Sequence, residues 1–260
     1  MESILVSWNR RGRCWIEPWV EFEYQKSRRE IPLGEFPNKC ILCYQDYILK
    51  LMKRRLKWRR LEKLLGDIVL YEASYKGKRI GIVCSWIGGP VAALILERLI
   101  QRGIKYVLNI GIAGCLKDEG IGVGDVVLCS KALRGDGTSH YYLKPSKWVY
   151  PSRELTKKVE EVLKNLRLKY FKGPSITIDA PYRFTINEAK KLRNEVLTSE
   201  MEAATVFAVS KFRKVKAAAI FTISDLATPD FKWVPMFHSR KVKHGLEKLF
   251  KISLETFSSF

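Results

Sequence analysis

Two glutamates flank a methionine in the stretch TSEMEAATVF, residues 198–207, at the start of a strongly apolar segment. Glu200 and Glu202 carry carboxylates, which accept hydrogen bonds and do not donate them when ionised. They could hold a ligand that donates hydrogen bonds, or they could serve the helix itself. Ser199 and Glu202 match a capping box, in which the serine caps the helix and the glutamate bonds back to the backbone. The local pattern leaves both interpretations open.

Another carboxylate, Asp225, ends the apolar stretch AAAIFTISD, residues 217–225. A buried carboxylate there would be unfavourable unless it is useful, so Asp225 is either an exposed cap of the next turn or a functional group. Two glycine segments could also hold an anion through backbone N–H groups: the Gly88-Gly89 turn at a predicted helix start and the loop from Gly111 to Gly114.

Hydrophobic periodicity places these groups on alternating strands and helices. The predicted strands cover residues 39–44, 67–86 (two strands with a turn at Gly77), 105–114, 123–133, 173–184 and 215–227. The predicted helices cover residues 50–63, 88–103, 152–168, 186–194, 199–212 and 236–258. This order indicates a parallel or mixed sheet covered on both faces, whose ligands bind beyond the carboxyl ends of the strands. We expect an irregular N-terminal arm, residues 1–38, and a single domain, residues 39–260.

The composition of the 260 residues is that of a core-forming globular chain with a net charge of +20. No apolar run is long enough to span a membrane, and the N-terminus lacks the apolar stretch of a signal peptide, so we expect a cytoplasmic protein. The one CxxC, at Cys40 and Cys43, has no nearby histidine, and we expect no metal and no cofactor. The basic block 50–63 favours an amphipathic helix with a solvated face over a nucleic-acid contact, because no nucleic-acid-binding motif accompanies it.

Five segments, in this order, resemble the nucleoside phosphorylase family, which includes purine nucleoside and uridine phosphorylases and related nucleosidases. They are VCSWIGGP (83–90), NIGIAGCLKDEGIGVGDVVL (109–128), RGDGTSHYYL (134–143), SEMEAATVF (199–207) and TISDLATPD (222–230). The resemblance runs from about Cys40 to the C-terminus. It implies a three-layer αβα fold with a central mixed sheet that curls towards a barrel, and a role in purine salvage. It also implies a homo-oligomer, a dimer or hexamer, to which the arm tryptophans Trp8, Trp15 and Trp19 offer surface.

The resemblance also implies roles for the carboxylates. Glu202 would grip the ribose hydroxyls, with Met201 packed on the sugar and Glu200 beside them. Asp225 would protonate N7 of a purine leaving group, since cleavage of the glycosidic bond builds negative charge on the base. Ser224 would orient Asp225.

The same resemblance places the base against the loop TIDAPYRF, residues 177–184. Asp179 matches an acidic position beside the base. Pro181 falls where the family has a stacking ring, and Tyr182, one residue further on, is the substitute that we expect to stack.

The chain departs from the family at the phosphate site. The family's phosphate loop reads CYQDYI here (43–48), with no arginine. Asn109 replaces a further arginine, and Ile112 replaces a hydroxyl residue. Since each change removes a phosphate contact, we expect turnover to depend little on phosphate below millimolar levels.

The pattern Asn109-x-Gly111-x-Ala113-Gly114 resembles the hydrolytic branch, the methylthioadenosine and adenosylhomocysteine nucleosidases, although a non-acidic residue aligns with their water-positioning glutamate. The candidate anion or acceptor residues are Gly88, Gly89, Asn109, Gly111, Asp46, Arg134 and His140. The leading hypothesis is an enzyme that cleaves a purine nucleoside and transfers ribosyl to phosphate. The alternatives are transfer to water and a non-catalytic descendant that binds a nucleoside or RNA.

Overall fold

The structure is a computed structural model that describes residues 14–32, 34–117 and 120–259. Trp8 and the first part of the predicted arm lie outside the described residues, as do residues 118 and 119 of the glycine-rich segment. Within the described part no helix is long and apolar enough to cross a membrane.

A single mixed sheet forms the centre of the molecule, and eleven strands belong to it in the described ranges. The strands are β1 (Lys39–Cys43), β2 (Lys57–Leu65), β3 (Ile68–Tyr75), β4 (Lys78–Cys84), β5 (Tyr106–Cys115), β6 (Val126–Gly135), β7 (Trp148–Val149), β8 (Tyr170–Ile178), β9 (Thr198–Glu200), β10 (Lys216–Ala227) and β11 (Trp233–Pro235). Strands β5, β10, β6, β8 and β9 pair in a closed ring, while β1, β4, β3 and β2 extend from β5. The predicted mixed sheet that curls towards a barrel is therefore confirmed.

Helices cover both faces of the sheet. They are α1 (Pro18–Ser27), α2 (Asp46–Arg55), α3 (Gly89–Gln101), α4 (Ser139–Tyr142), α5 (Arg153–Asn165), α6 (Ile186–Leu192), α7 (Ala203–Phe212) and α8 (Arg240–Ser258). One core lies under α3 and α7, and the other lies under α2, α5 and α8. Successive residues of β1 enter opposite cores because side chains alternate along a strand: Leu42 faces the first and Ile41 the second. The three-layer αβα architecture is confirmed.

The predicted basic helix over residues 50–63 is only half right. Helix α2 ends at Arg55, and β2 follows, antiparallel to β3. The first four residues of β2, Lys57 to Arg60, are exposed on the outermost strand. Charged side chains are common on edge strands, where they oppose pairing with other chains.

The predicted irregular arm contains a helix. Helix α1 contacts α3, and Arg102 donates to Gln25 Oε1 at 3.1 Å. Arg98 adds a hydrogen-bonded ion pair with Glu21. The described end of the arm is thus attached to the helical layer that carries α7.

Candidate active site

Glu202 sits at the N-cap position of α7, with only 6% of its surface exposed. Its Oε1 accepts a hydrogen bond of 2.7 Å from the backbone N–H of Gly88, on the loop between β4 and α3. Gly88 has φ 102° and ψ 148°, a conformation that favours glycine. A carboxylate can accept about four hydrogen bonds, so Glu202 keeps acceptor capacity for a ligand.

The predicted capping box is wrong, because Ser199 belongs to β9 and pairs with Gly114 of β5. Glu200 caps the helix instead. Its Oε2 accepts from the N–H groups of Glu202 at 2.8 Å and Ala203 at 2.7 Å. Two of the unpaired N–H groups at the start of α7 are thereby satisfied.

Glu200 is also fixed from the sheet, since the hydroxyl of Thr177 in β8 donates to its Oε1. Met201 lies between the two glutamates, partly exposed, in the turn that joins β9 to α7. We conclude that Glu200 supports the turn that presents Met201 and Glu202.

Burial changes the acidity of both glutamates. It raises the pKa of Glu200 to about 7, and it raises the pKa of Glu202 to about 8 with a further contribution from the charge of Glu200. The pair therefore titrates near neutral pH.

Asp225 lies across β5 from this turn. Gly114 pairs with Ser199 on one side and with Asp225 on the other, after an irregularity in the β10 register at Ser224. The Asp225 Oδ1 accepts from Ser224 Oγ at 2.6 Å, and its Oδ2 accepts from Trp233 Nε1 at 2.8 Å. The expected hydrogen bond between Ser224 and Asp225 is present, and both oxygens of the carboxylate are held in place.

Trp233 was missed from the sequence, because nothing in the local pattern connects it to a carboxylate eight residues earlier. It lies on β11, which folds back antiparallel on the end of β10. Gly114 is needed for a related reason: a Cβ there would lie 2.6 Å from Asp225 Oδ2. Only a glycine at position 114 lets β5 pass this close to the Asp225 carboxylate.

A small polar cluster lies where the chain leaves β1, beside the middle of β5. Asn109 is fully buried, and its Oδ1 accepts from Tyr44 Oη at 2.7 Å. Its Nδ2 is buried without a partner in the described residues, as is Gln45 Oε1. Gly111 lies beside them, since a Cβ there would be 3.3 Å from the Tyr44 ring and 3.8 Å from Gln45 Oε1. An unpaired donor and an unpaired acceptor in one cluster can bind a small polar molecule.

Three other candidates for the anion site have structural partners. Asp46 is exposed at the start of α2, with Cys84 Sγ 3.7 Å from its Oδ1. Gly89 packs against α7, because a Cβ there would lie 2.6 Å from Thr205 Oγ1. The His140 ring Nε2 lies 3.2 Å from the backbone oxygen of Arg134.

Arg134 was expected to offer its guanidinium to an anion, but the structure uses it inside the loop after β6. Its Nε donates to Ser139 Oγ at 3.0 Å, and its terminal nitrogens donate to the carbonyls of Ser139 and Lys144 at 2.8 and 2.7 Å. Burial lowers the pKa of Arg134. These contacts fix the loop, and a contact between Arg134 and an anion stays a prediction.

The proposed base-binding residues lie on the surface. Asp179 is exposed, and its Oδ2 accepts from the Gly137 N–H at 2.7 Å. Tyr182, in a short 3-10 helix (Pro181–Arg183), has 97% of its surface exposed. The structure therefore does not bring the Tyr182 ring together with Glu202 and Asp225, and its role in stacking stays a prediction.

Comparisons with known proteins match the chain to one family. The sequence profile of the Phosphorylase superfamily matches residues 51–257. A purine nucleoside phosphorylase of Plasmodium vivax is 29% identical over 189 residues, which cover 71% of this chain and 76% of that protein. A guanosine phosphorylase of Halorubrum lacusprofundi is 30% identical over 159 residues, 59% of this chain and 64% of that protein.

Solved structures share the fold. The purine nucleoside phosphorylase of Toxoplasma gondii, in complex with immucillin-H, has a TM-score of 0.78 at 18% identity and covers 86% of this chain and 92% of that one. The uridine phosphorylase of Vibrio fischeri has a TM-score of 0.75 at 22% identity, with the same coverage.

Proposed function

Because this chain belongs to the phosphorylase superfamily, we propose that it is a nucleoside phosphorylase that cleaves the N-glycosidic bond of a purine nucleoside and transfers the ribosyl group to phosphate. One observation carries the choice of a purine: Asp225 is held through both carboxylate oxygens, by Ser224 and Trp233, at the sheet end that also carries Glu202. A fixed acid opposite a hydrogen-bond acceptor for the sugar is what cleavage of a purine nucleoside requires.

The proposed mechanism divides the work between these groups. Glu202 accepts hydrogen bonds from the ribose hydroxyls and holds the sugar while positive charge develops on it. Asp225 delivers a proton to N7, so the base leaves neutral. Ser224 and Trp233 keep the Asp225 carboxyl group in one orientation, which lowers the cost of reaching the reactive geometry.

Water is a second candidate for the molecule that accepts the ribosyl group. The polar cluster of Tyr44, Gln45 and Asn109 consists of uncharged groups, and two of its polar atoms are unpaired. Such a cluster suits water as well as phosphate, because it offers hydrogen bonds without a positive charge. Hydrolysis is therefore the second candidate, and low dependence on phosphate stays our prediction.

Base release from inosine, guanosine, adenosine and methylthioadenosine, with phosphate varied from zero to 50 mM, tests the proposal. Formation of ribose 1-phosphate identifies phosphorolysis, and formation of free ribose identifies hydrolysis. Asp225→Asn should abolish most of the activity, and Asp230→Asn, which alters an exposed aspartate, is the matched control. If no nucleoside is cleaved under any condition, the non-catalytic alternative is correct.

We also propose that the protein is a cytoplasmic homo-oligomer. Trp15 and Trp19 at the described end of the arm have 98% and 49% of their surfaces exposed, and exposed aromatic surface of this kind is suited to a subunit contact. Sedimentation velocity at micromolar concentration tests it, and a stable monomer would refute the oligomer.

A further inference from the structure

A cavity of about 800 Å³ lies at the opposite end of β10 from Asp225. It is open to solvent and is lined by the segment before α5, the first turn of α5, the end of α7 and the start of β10. Lys216 and Asp225 are nine residues apart on one strand, which corresponds to about 30 Å. The cavity is therefore separate from the proposed catalytic site.

Five basic side chains line this cavity, and Glu154 is its one acidic residue. The basic residues are Arg153, Lys157, Lys211, Lys214 and Lys216. Glu154 lies 3.7 Å from Lys216, and the other four form no ion pair with residues 14–32, 34–117 or 120–259. Like charges gathered in a concave site repel one another and raise the local concentration of anions.

The start of α5 adds backbone donors. Ser152 occupies the N-cap position of this 13-residue helix, but its side chain makes no capping hydrogen bond. The first N–H groups of a helix have no partner within the helix, and together with the helix dipole they favour an anion.

A buried hydroxyl gives the independent sign of a missing ligand. Ser210, near the end of α7, lines the cavity with only 2% of its surface exposed. Its Oγ has no hydrogen-bond partner in the described part of the chain. An unpaired buried hydroxyl is unfavourable, and a ligand oxygen in the cavity would satisfy it.

We propose that this cavity binds a small organic phosphate through its basic side chains and the hydroxyl of Ser210. The volume exceeds what inorganic phosphate fills and falls within the range of small-molecule sites. Tyr150, with 58% of its surface exposed, supplies apolar surface for an organic group. Helix α7 begins next to Glu202 and reaches this cavity at Ser210, so the two sites share one helix.

Isothermal titration of the full chain with ADP at 50 and 150 mM salt tests the proposal. We expect a dissociation constant below 1 mM that rises with salt. The double variant Lys157→Glu/Lys214→Glu should weaken binding about 100-fold, since two charged contacts are reversed, and Ser210→Ala should weaken it about 5-fold. The control Lys50→Glu/Lys243→Glu changes the net charge equally at exposed positions outside the cavity and should leave the affinity unchanged.

Four results would overturn the proposal. The first is an equal ADP affinity in the wild type and all variants. The second is a dissociation constant for ADP above 10 mM. The third is a loss in Glu202→Gln as large as in Lys157→Glu/Lys214→Glu, which would place ADP at the catalytic site. The fourth is displacement of ADP by a tighter-binding single-stranded RNA. Ser210→Ala leaves the surface charge intact, so it decides the question even if the charge-reversed variant does not fold. Nucleoside cleavage by Lys157→Glu/Lys214→Glu should continue, so failure here is distinguishable from failure of the proposed enzyme activity.

Discussion

Replacing Glu202 with glutamine separates the energetic cost of a buried carboxyl group from its value in binding. The glutamine oxygen can still accept the 2.7 Å hydrogen bond from Gly88, and the side chain has nearly the same volume, so packing at the start of α7 is retained. The variant loses the charge, and its amide nitrogen can only donate hydrogen bonds. A ribose hydroxyl that must donate therefore loses its best acceptor.

The expected gain in stability follows from the pKa of Glu202. Burial and the charge of Glu200 raise it from 4.5 to about 8. Between these values the unfolded chain releases the proton and the folded chain keeps it, so the free energy of unfolding falls as the pH rises and is constant above about pH 8. At about 1.4 kcal/mol for each unit of pKa, the wild type loses roughly 5 kcal/mol across this window. Glutamine does not titrate, so Glu202→Gln should be more stable than the wild type at pH 9 and similar to it at pH 4.5.

Activity should change in the opposite direction. Above pH 8, where Glu202 is ionised, a hydrogen bond to this charged acceptor is worth about 1.5–3 kcal/mol, so kcat/KM measured at pH 9 should fall by roughly 10- to 150-fold. Urea unfolding at pH 4.5 and 9, together with kcat/KM for base release, measures both effects. The control Glu35→Gln alters a side chain that is 95% exposed and should change neither. A Glu202→Gln variant that is less stable than the wild type at pH 9, or that keeps full kcat/KM, would refute the reasoning.

Three further substitutions test other contacts. Gly114→Ala places a carbon 2.6 Å from Asp225 Oδ2, and because a displacement of about 1 Å can cost roughly 100-fold in rate, kcat should fall by that order in the base-release assay. Arg167, after α5, has φ 50°, a conformation that is strained for residues other than glycine. Arg167→Gly should therefore raise the free energy of unfolding by about 1 kcal/mol, and Arg167→Ala, which keeps the strain, should not raise it. Glu62→Ala should lower the free energy of unfolding by about 3–5 kcal/mol, because the variant leaves the buried charge of Arg102 without its partner. The double variant Glu62→Leu/Arg102→Met should recover most of this loss, as measured by urea unfolding.

The sheet and most helices follow from the sequence, because apolar periodicity records which face of each element is buried. The basic block 50–63 shows where this information ends. Lysine, arginine and leucine all favour helix, and no glycine or proline separates α2 from β2. The strand forms because residues 57–65 pair with β3, and pairing between distant segments overrides local propensity.

The capping box at the start of α7 is absent for the same reason. Ser199 and Glu202 satisfy the spacing of a capping box, but the pairing of Ser199 with Gly114 makes Ser199 part of a strand. Glu200 then supplies the capping oxygen. The hydrogen bond between Ser224 and Asp225 was predictable because the two residues are adjacent, whereas the contributions of Trp233 and Tyr44 depend on strands that return from elsewhere in the chain.

The hydrogen bond between Gly88 and Glu202 joins residues 114 positions apart, and the bond from Trp233 to Asp225 adds a segment close to the end of the chain. During synthesis on the ribosome, the nascent chain therefore carries no complete catalytic arrangement until more than 230 residues have emerged. Contacts over such separations form late, because the ends of a long loop must first be brought together. A stalled chain that ends between Asp225 and Trp233 would have both glutamates and the aspartate, yet it would lack the indole that restrains the proposed acid.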